Sequence, residues 1–163
     1  MRYHNITKDD MLNGAGLRVV LWVAGCSHCC KECHNPITWD PNGGLEFDED
    51  AKQEIFAELE KDYVSGITFS GGDPLHINNV YDVTELAREI REKYPNKTIW
   101  LYTGATWEDV ANTKVMQYVD IVADGEFEVD KFDANLHWVG STNQRVIDVK
   151  RTLEKGEVVL YED

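Results

Sequence analysis

Leu17-Arg18-Val19-Val20-Leu21-Trp22-Val23-Ala24 runs through Gly25 into Cys26-Ser27-His28-Cys29-Cys30-Lys31-Glu32-Cys33-His34. The first eight residues are almost wholly apolar and rich in β-branched side chains, the pattern of a strand covered on both faces in a parallel sheet. The strand stops at a glycine, and four cysteines follow within positions 26–33. From Cys26 to Gly44 no period is visible, and Pro36, Pro41, Asn42, Gly43 and Gly44 mark a long loop. Loops of that length in compact domains usually carry function.

Outward from this strand, helical and extended patterns alternate. Ala51, Ile55, Phe56 and Leu59 recur at helical spacing behind Asp48, a capping residue by type, and predict a helix ending near Tyr63. Ile67 to Phe69 predict a strand that runs into Ser70-Gly71-Gly72-Asp73-Pro74. Val80, Val83, Leu86, Ala87 and Ile90 share one face of a second helix, stopped by Pro95. Thr98 to Thr103 form a third strand closed by Gly104, Thr106 to Asn112 start a shorter helix, and Tyr118 to Ala123 form a strand closed by Asp124-Gly125. Beyond it, Phe127 to Asn135 reads as irregular, and Trp138-Val139, Arg145 to Val149 and Val158 to Tyr161 read as strands.

Strands alternating with helices imply βαβ units and a parallel sheet, with functional groups at the C-terminal ends of its strands. Cys26, Ser70 to Asp73 and Thr103-Gly104 all fall at such ends. A closed eight-unit barrel takes about 250 residues. The 163 residues here supply about five or six units, so the expected fold is α/β, an open partial (β/α) barrel forming one domain over residues 1–163.

Composition narrows the partners. Thirty acidic against 16 basic residues give a net charge of −14, which repels phosphate backbones and anionic lipid surfaces. Neither nucleic acid nor membrane is expected as a partner. The longest apolar run is far short of the ~18 residues of a membrane span, and no charged-then-apolar leader precedes it. The cysteines are too close together to staple distant segments as a secreted disulfide framework does, so a cytoplasmic protein is expected.

Two metal chemistries are open to the cysteines. Cys26-x3-Cys30-x2-Cys33 offers three thiolates on a short loop, suited to an iron–sulfur cluster with one iron free of protein ligands. Pairing Cys26 with Cys29 and Cys30 with Cys33 makes a four-thiolate zinc site. Structural zinc usually joins pairs separated by a span of chain, and here the pairs abut, leaving little for zinc to organise. Reduced cysteines packed as small hydrophobes do not suit four thiols among polar neighbours.

The C-x3-C-x2-C loop directly after a first strand resembles that of the radical S-adenosylmethionine (SAM) enzymes. The chain is more closely similar to the glycyl-radical activases that serve anaerobic ribonucleoside-triphosphate reductase. That likeness is carried by Asn13-Gly14-Ala15-Gly16-Leu17-Arg18, Gly25-Cys26-Ser27-His28, Cys33-His34-Asn35-Pro36 and Trp39-Asp40. It continues in Ser70 to Leu75, Trp100 to Gly104, Asp124-Gly125 and Gly140-Ser141-Thr142-Asn143-Gln144-Arg145. Lys31-Glu32 stand where that family more often has Pro-Gly, Ala15 where it has Pro, and Cys29 where it requires no cysteine. The resemblance implies a radical SAM fold, and a [4Fe–4S] cluster on Cys26, Cys30 and Cys33 with SAM chelating the open iron. It implies that Ser70, Gly71, Gly72 and Asp73 receive the methionine end of SAM, with Asp73 accepting from the ammonium group, and that the backbone of Glu32, Cys33 and His34 meets the adenine.

In such enzymes electron transfer to the sulfonium yields methionine and a 5′-deoxyadenosyl radical, and the resemblance implies that this radical takes a Cα hydrogen from one glycine of the reductase. The implied partners are the large reductase subunit, through a glycine-bearing loop, and a low-potential electron donor such as a flavodoxin or ferredoxin. Two other functions use the same residues: a small radical SAM enzyme acting on a small molecule, and a zinc-stabilised interaction module. Among the remaining side chains, His28 and His34 read as local hydrogen-bonders or solvated groups ahead of metal ligands. Trp22, Trp100 and Trp107 read as core. Arg18 and Arg145 are candidates for the SAM carboxylate, for the partner's tail or for surface ion pairs, Asp124 is a pocket candidate, and Glu126, Glu128 and Asp130 read as a solvated face.

Overall fold

The computed structural model describes residues 1–26, 28 and 39–162. Among them, Cys29, Cys30, Glu32, Cys33 and His34 do not appear, so those site expectations lie outside the described residues. Seven strands make one mixed sheet: β1 (Arg2–Asp10), β2 (Leu17–Val23), β3 (Leu45–Glu46), β4 (Val64–Gly71), β5 (Thr98–Tyr102), β6 (Ile121–Asp124) and β7 (Arg145–Asp148). Their spatial order is β3-β1-β2-β4-β5-β6-β7. The helices are α1 (Glu49–Leu59), α2 (Val80–Lys93), α3 (Trp107–Val110) and α4 (Val149–Lys155).

The centre of the sheet agrees with the expectation from alternating patterns. β2, β4, β5 and β6 run parallel, and α1, α2 and α3 precede β4, β5 and β6 in the chain. The flanks do not. β1 pairs antiparallel with β2, and β7 pairs antiparallel with β6, so parallel units are fewer than expected. Residues 2–10 show no apolar alternation because β1 is mostly half-exposed and is held chiefly by its backbone ladder to β2. Trp138-Val139 is no strand: Trp138 has φ 76°, a left-handed conformation that ends an extended run. Arg145 to Val149 divides instead into β7 and the start of α4, where Asp148 accepts from Arg151 N at 3.0 Å as the cap. Val158 to Tyr161 lies beside β7, joined by a single bridge from Leu160 to Ile147.

Both faces of the central strands are covered, which explains their near-continuous apolar reading. Val19, Leu21 and Val23 join Ile67, Phe69, Ile99, Leu101 and Val122 in a core with Ile55, Leu59, Leu86 and Ile90 of α1 and α2. The intervening residues Arg18, Val20, Thr68 and Trp100 are buried too. Trp138 and Tyr161 pack edge-on against the Trp100 ring at 5.4 and 5.2 Å. Asp48 caps α1 by accepting from Ala51 N at 2.9 Å, as its residue type predicts, and α2 ends at Lys93, two residues before Pro95. No helix among the described residues is long and apolar enough to cross a membrane.

Candidate metal and cosubstrate site

The C-terminal ends of β2, β4, β5 and β6 meet at one edge of the sheet. Past β2 the chain turns at Gly25 (φ 110°) into Cys26, which is partly exposed and whose N–H donates to Trp39 O at 3.1 Å. Past β4, the N–H of Gly72 donates to Val23 O at 2.8 Å and that of Asp73 to Gly25 O at 2.7 Å. The Ser70 to Asp73 segment is therefore stitched to Val23 and Gly25, within three residues of the first cysteine. Gly71 takes part in this close approach. Its φ is 105°, and a Cβ there would come within 2.5 Å of Val23 N.

Asn79, at the N-terminus of α2, fastens the same junction from outside. Its side chain makes no capping bond; Nδ2 donates instead to Ala24 O at 2.9 Å and to Asp73 O at 3.0 Å. The residue is 1 % exposed, and its Oδ1 has no partner among the described residues. Its type and position read as an ordinary helix cap, so no local signal marks this role.

Asp73 is buried, and its carboxylate is the hub of the site. Oδ1 accepts from Leu75 N at 2.9 Å, while Oδ2 accepts from Thr103 Oγ1 at 3.0 Å, Gly104 N at 3.1 Å and His28 Nε2 at 2.8 Å. The other ring nitrogen, His28 Nδ1, faces Glu126 Oε1 at 2.8 Å. An ionised carboxylate only accepts, so the two contacts suit a ring protonated on both nitrogens. The bond to Asp73, then that to Glu126, pushes the imidazole up to about 9, against the opposing effect of burial. One side chain thus bridges the exits of β4, β5 and β6. Reading His28 as a local hydrogen-bonder is corrected here, because its partners lie 45 and 98 positions away. Glu126, read as solvated, is half-exposed and paired.

Beside His28 a cleft of about 640 Å³ opens over the ends of β5 and β6, lined by Gly104, Thr106, Asp124, Glu126, Asn143 and Arg145 among others. Asp124 is 1 % exposed and accepts from Trp107 N at 2.8 Å and from Arg145 at 2.6 Å, so it belongs to the cleft wall as expected. Arg145 also reaches Glu108 at 2.8 Å, and the two carboxylates hold its guanidinium well above its ordinary value. In the Gly140 to Arg145 segment, Gln144 Oε1 accepts from Gly140 N, Ser141 N and Ser141 Oγ. Its Nε2 donates to Gly125 O, and Asn143 Nδ2 donates to Glu126 O, which sets the loop that carries Glu126.

Arg18 lies at the opposite end of the sheet. All five of its N–H groups are taken by neutral acceptors: Thr68 Oγ1, Ala15 O, Thr98 Oγ1, Ile67 O and Thr98 O, at 2.7–2.9 Å. Burial lowers it to about 10. It is neither a ligand for the Cys26 edge nor half of a surface ion pair. Trp100 and Trp107 are buried and Trp22 half-buried, in keeping with a core role.

A family model described as a 4Fe-4S single cluster domain matches residues 12–147. The anaerobic ribonucleoside-triphosphate reductase-activating protein of Enterobacteria phage T4 is 39 % identical over 146 residues, covering 90 % of this chain and 93 % of the relative. The chain belongs to the anaerobic ribonucleoside-triphosphate reductase-activating protein family. Relatives of the same name from Escherichia coli K12, 39 % identical over 90 % of this chain and 97 % of their own, and from Vibrio cholerae, 36 % identical over 88 % and 96 %, agree. As a member of this reductase-activating protein family, the chain has its 4Fe-4S domain match across the strand edge that carries Cys26, Asp73 and Asp124.

Proposed function

We propose that this chain is a radical SAM activase that reductively cleaves S-adenosylmethionine to a 5′-deoxyadenosyl radical and generates a glycyl radical on anaerobic ribonucleoside-triphosphate reductase. The observation that carries the reading is the Asp73 N–H to Gly25 O bond of 2.7 Å, which fixes the glycine-rich turn against the root of the cysteine loop. A ligand held by both motifs needs that adjacency. Membership of the reductase-activating protein family supports the choice of partner.

In this account Cys26, Cys30 and Cys33 hold a [4Fe–4S] cluster, which supplies one low-potential electron to the SAM sulfonium. Ser70, Gly71, Gly72 and Asp73 take the methionine end of SAM, and the backbone of Glu32, Cys33 and His34 takes the adenine. The residues suit the group: the buried Asp73 carboxylate already accepts a cationic N–H donor at 2.8 Å, the chemistry an ammonium requires. Gly104 and Thr103 hold that carboxylate in place, so the charge is oriented before a ligand arrives. The sheet, with its strand ends open on the cleft side, serves as a partial (β/α) barrel in one domain over residues 1–163, and a glycine-bearing loop of the large reductase subunit closes it. A flavodoxin or ferredoxin supplies the electron in the cytoplasm.

Metal analysis of the anaerobically reconstituted protein tests this directly. Iron and sulfide should be present, give a brown solution and be lost in air, because one iron lacks a protein ligand. A colourless protein retaining one tightly bound zinc under the same handling contradicts the proposal.

A further inference from the structure

Asp73 Oδ2 accepts three donors, Thr103 Oγ1, Gly104 N and His28 Nε2, and a fourth has no room there while His28 stands against it. Oδ1 is engaged by Leu75 N, and the side chain is only 4 % exposed. Three of these four donors are fixed by the fold: Leu75 N in the turn after Asp73, and Thr103 and Gly104 at the exit of β5. His28 differs. It lies between Cys26 and Cys30 in the chain, reaches Asp73 only through its side chain, and is 22 % exposed.

We propose that His28 is a displaceable stand-in for the ammonium group of SAM: it occupies Asp73 in the ligand-free protein and leaves when the amino-acid end of SAM arrives. The inference rests on the proposed function, in which Asp73 receives that ammonium. The exchange puts one N–H donor in the place of another on the same carboxylate oxygen. Glu126 makes the departure possible. It holds Nδ1 at 2.8 Å from a half-exposed position at the cleft, so the ring keeps a carboxylate partner after releasing Asp73. Gly104 provides the room, since a Cβ there would come within 2.6 Å of the imidazole. The stand-in keeps a buried carboxylate paired when no ligand is bound, and it lowers apparent affinity by the fraction of molecules in which the ring occupies the site.

The test is the calorimetric affinity for SAM of the full-length, anaerobically reconstituted protein, with iron and sulfide content measured alongside. His28→Ala should bind SAM about tenfold more tightly, because the competitor is gone. His28→Gln, which keeps a neutral donor, should gain less. Asp73→Asn should bind about tenfold or more weakly, and adding His28→Ala to it should bring no gain. In the wild-type chain labelled with ¹⁵N-histidine, the His28 Nε2 resonance should move on saturation with SAM to where Asp73→Asn holds it without ligand. If His28→Ala loses its cluster, His28→Gln and this resonance carry the test. Unchanged or weaker SAM binding in the His28 variants, with Asp73→Asn still impaired, overturns the stand-in and leaves the Asp73 assignment intact. Unchanged affinity in Asp73→Asn overturns the assignment itself, and the stand-in with it.

Discussion

Single side chains separate the competing accounts of the cysteine loop. In the iron–sulfur account Cys26, Cys30 and Cys33 are each indispensable, since removal of one thiolate leaves a second iron without protein ligand. Cys26→Ala, Cys30→Ala and Cys33→Ala should each lose most of their iron and sulfide, whereas Cys29→Ala should keep both and retain SAM cleavage. A four-thiolate zinc site would lose metal equally in all four. Arg18 gives a second prediction at this scale. Its five N–H groups satisfy two threonine hydroxyls and three buried or partly buried carbonyls, so Arg18→Met strands these acceptors and opens a gap beside Trp100. Denaturant unfolding should show a loss of about 2–4 kcal/mol, with SAM affinity per folded molecule unchanged. A large loss of SAM affinity in a normally stable variant would return Arg18 to the ligand site.

Among elements, β2 and β4 share a parallel ladder, and beyond it their exits are joined by the Gly72 and Asp73 amides and by Asn79. Asn79 supplies two bonds from the start of α2, to Ala24 O and Asp73 O. Asn79→Ala should cost about 1–3 kcal/mol, and hydrogen exchange at the Gly72 and Asp73 amides should quicken while amides of β6 keep their protection. Equal acceleration in β6 would show that Asn79 acts on global stability alone. The elements differ in how far their own sequence announces them. β2, β4, β5, α1 and α2 are legible because burial on both faces or on one helical stripe leaves an apolar pattern, and Asp48 and Pro95 mark ends by simple stereochemistry. β1 is silent because its stability comes chiefly from the ladder to β2, with Ile6 its one buried side chain. Cys26, Asp73 and Asp124 are legible as residues at strand ends. The bridge from His28 to Glu126 is not, since no local pattern links groups 98 positions apart.

Across the whole molecule, four parallel strands present their C-terminal ends along one edge, and antiparallel β1 and β7 flank them. That edge carries the cysteine root, the buried Asp73 and an open cleft of about 640 Å³, in a chain of net charge −14. Such a charge repels other strongly acidic surfaces. In the proposed function a glycine-bearing loop of the reductase closes this cleft. The most direct measurement mixes the reconstituted protein with SAM, a low-potential reductant and the large subunit of the reductase, and follows paramagnetic resonance together with 5′-deoxyadenosine. The account predicts a carbon-centred radical on the large subunit that appears only with all components and in step with deoxyadenosine. Deoxyadenosine that forms only on addition of a small molecule, with no protein radical, would contradict it.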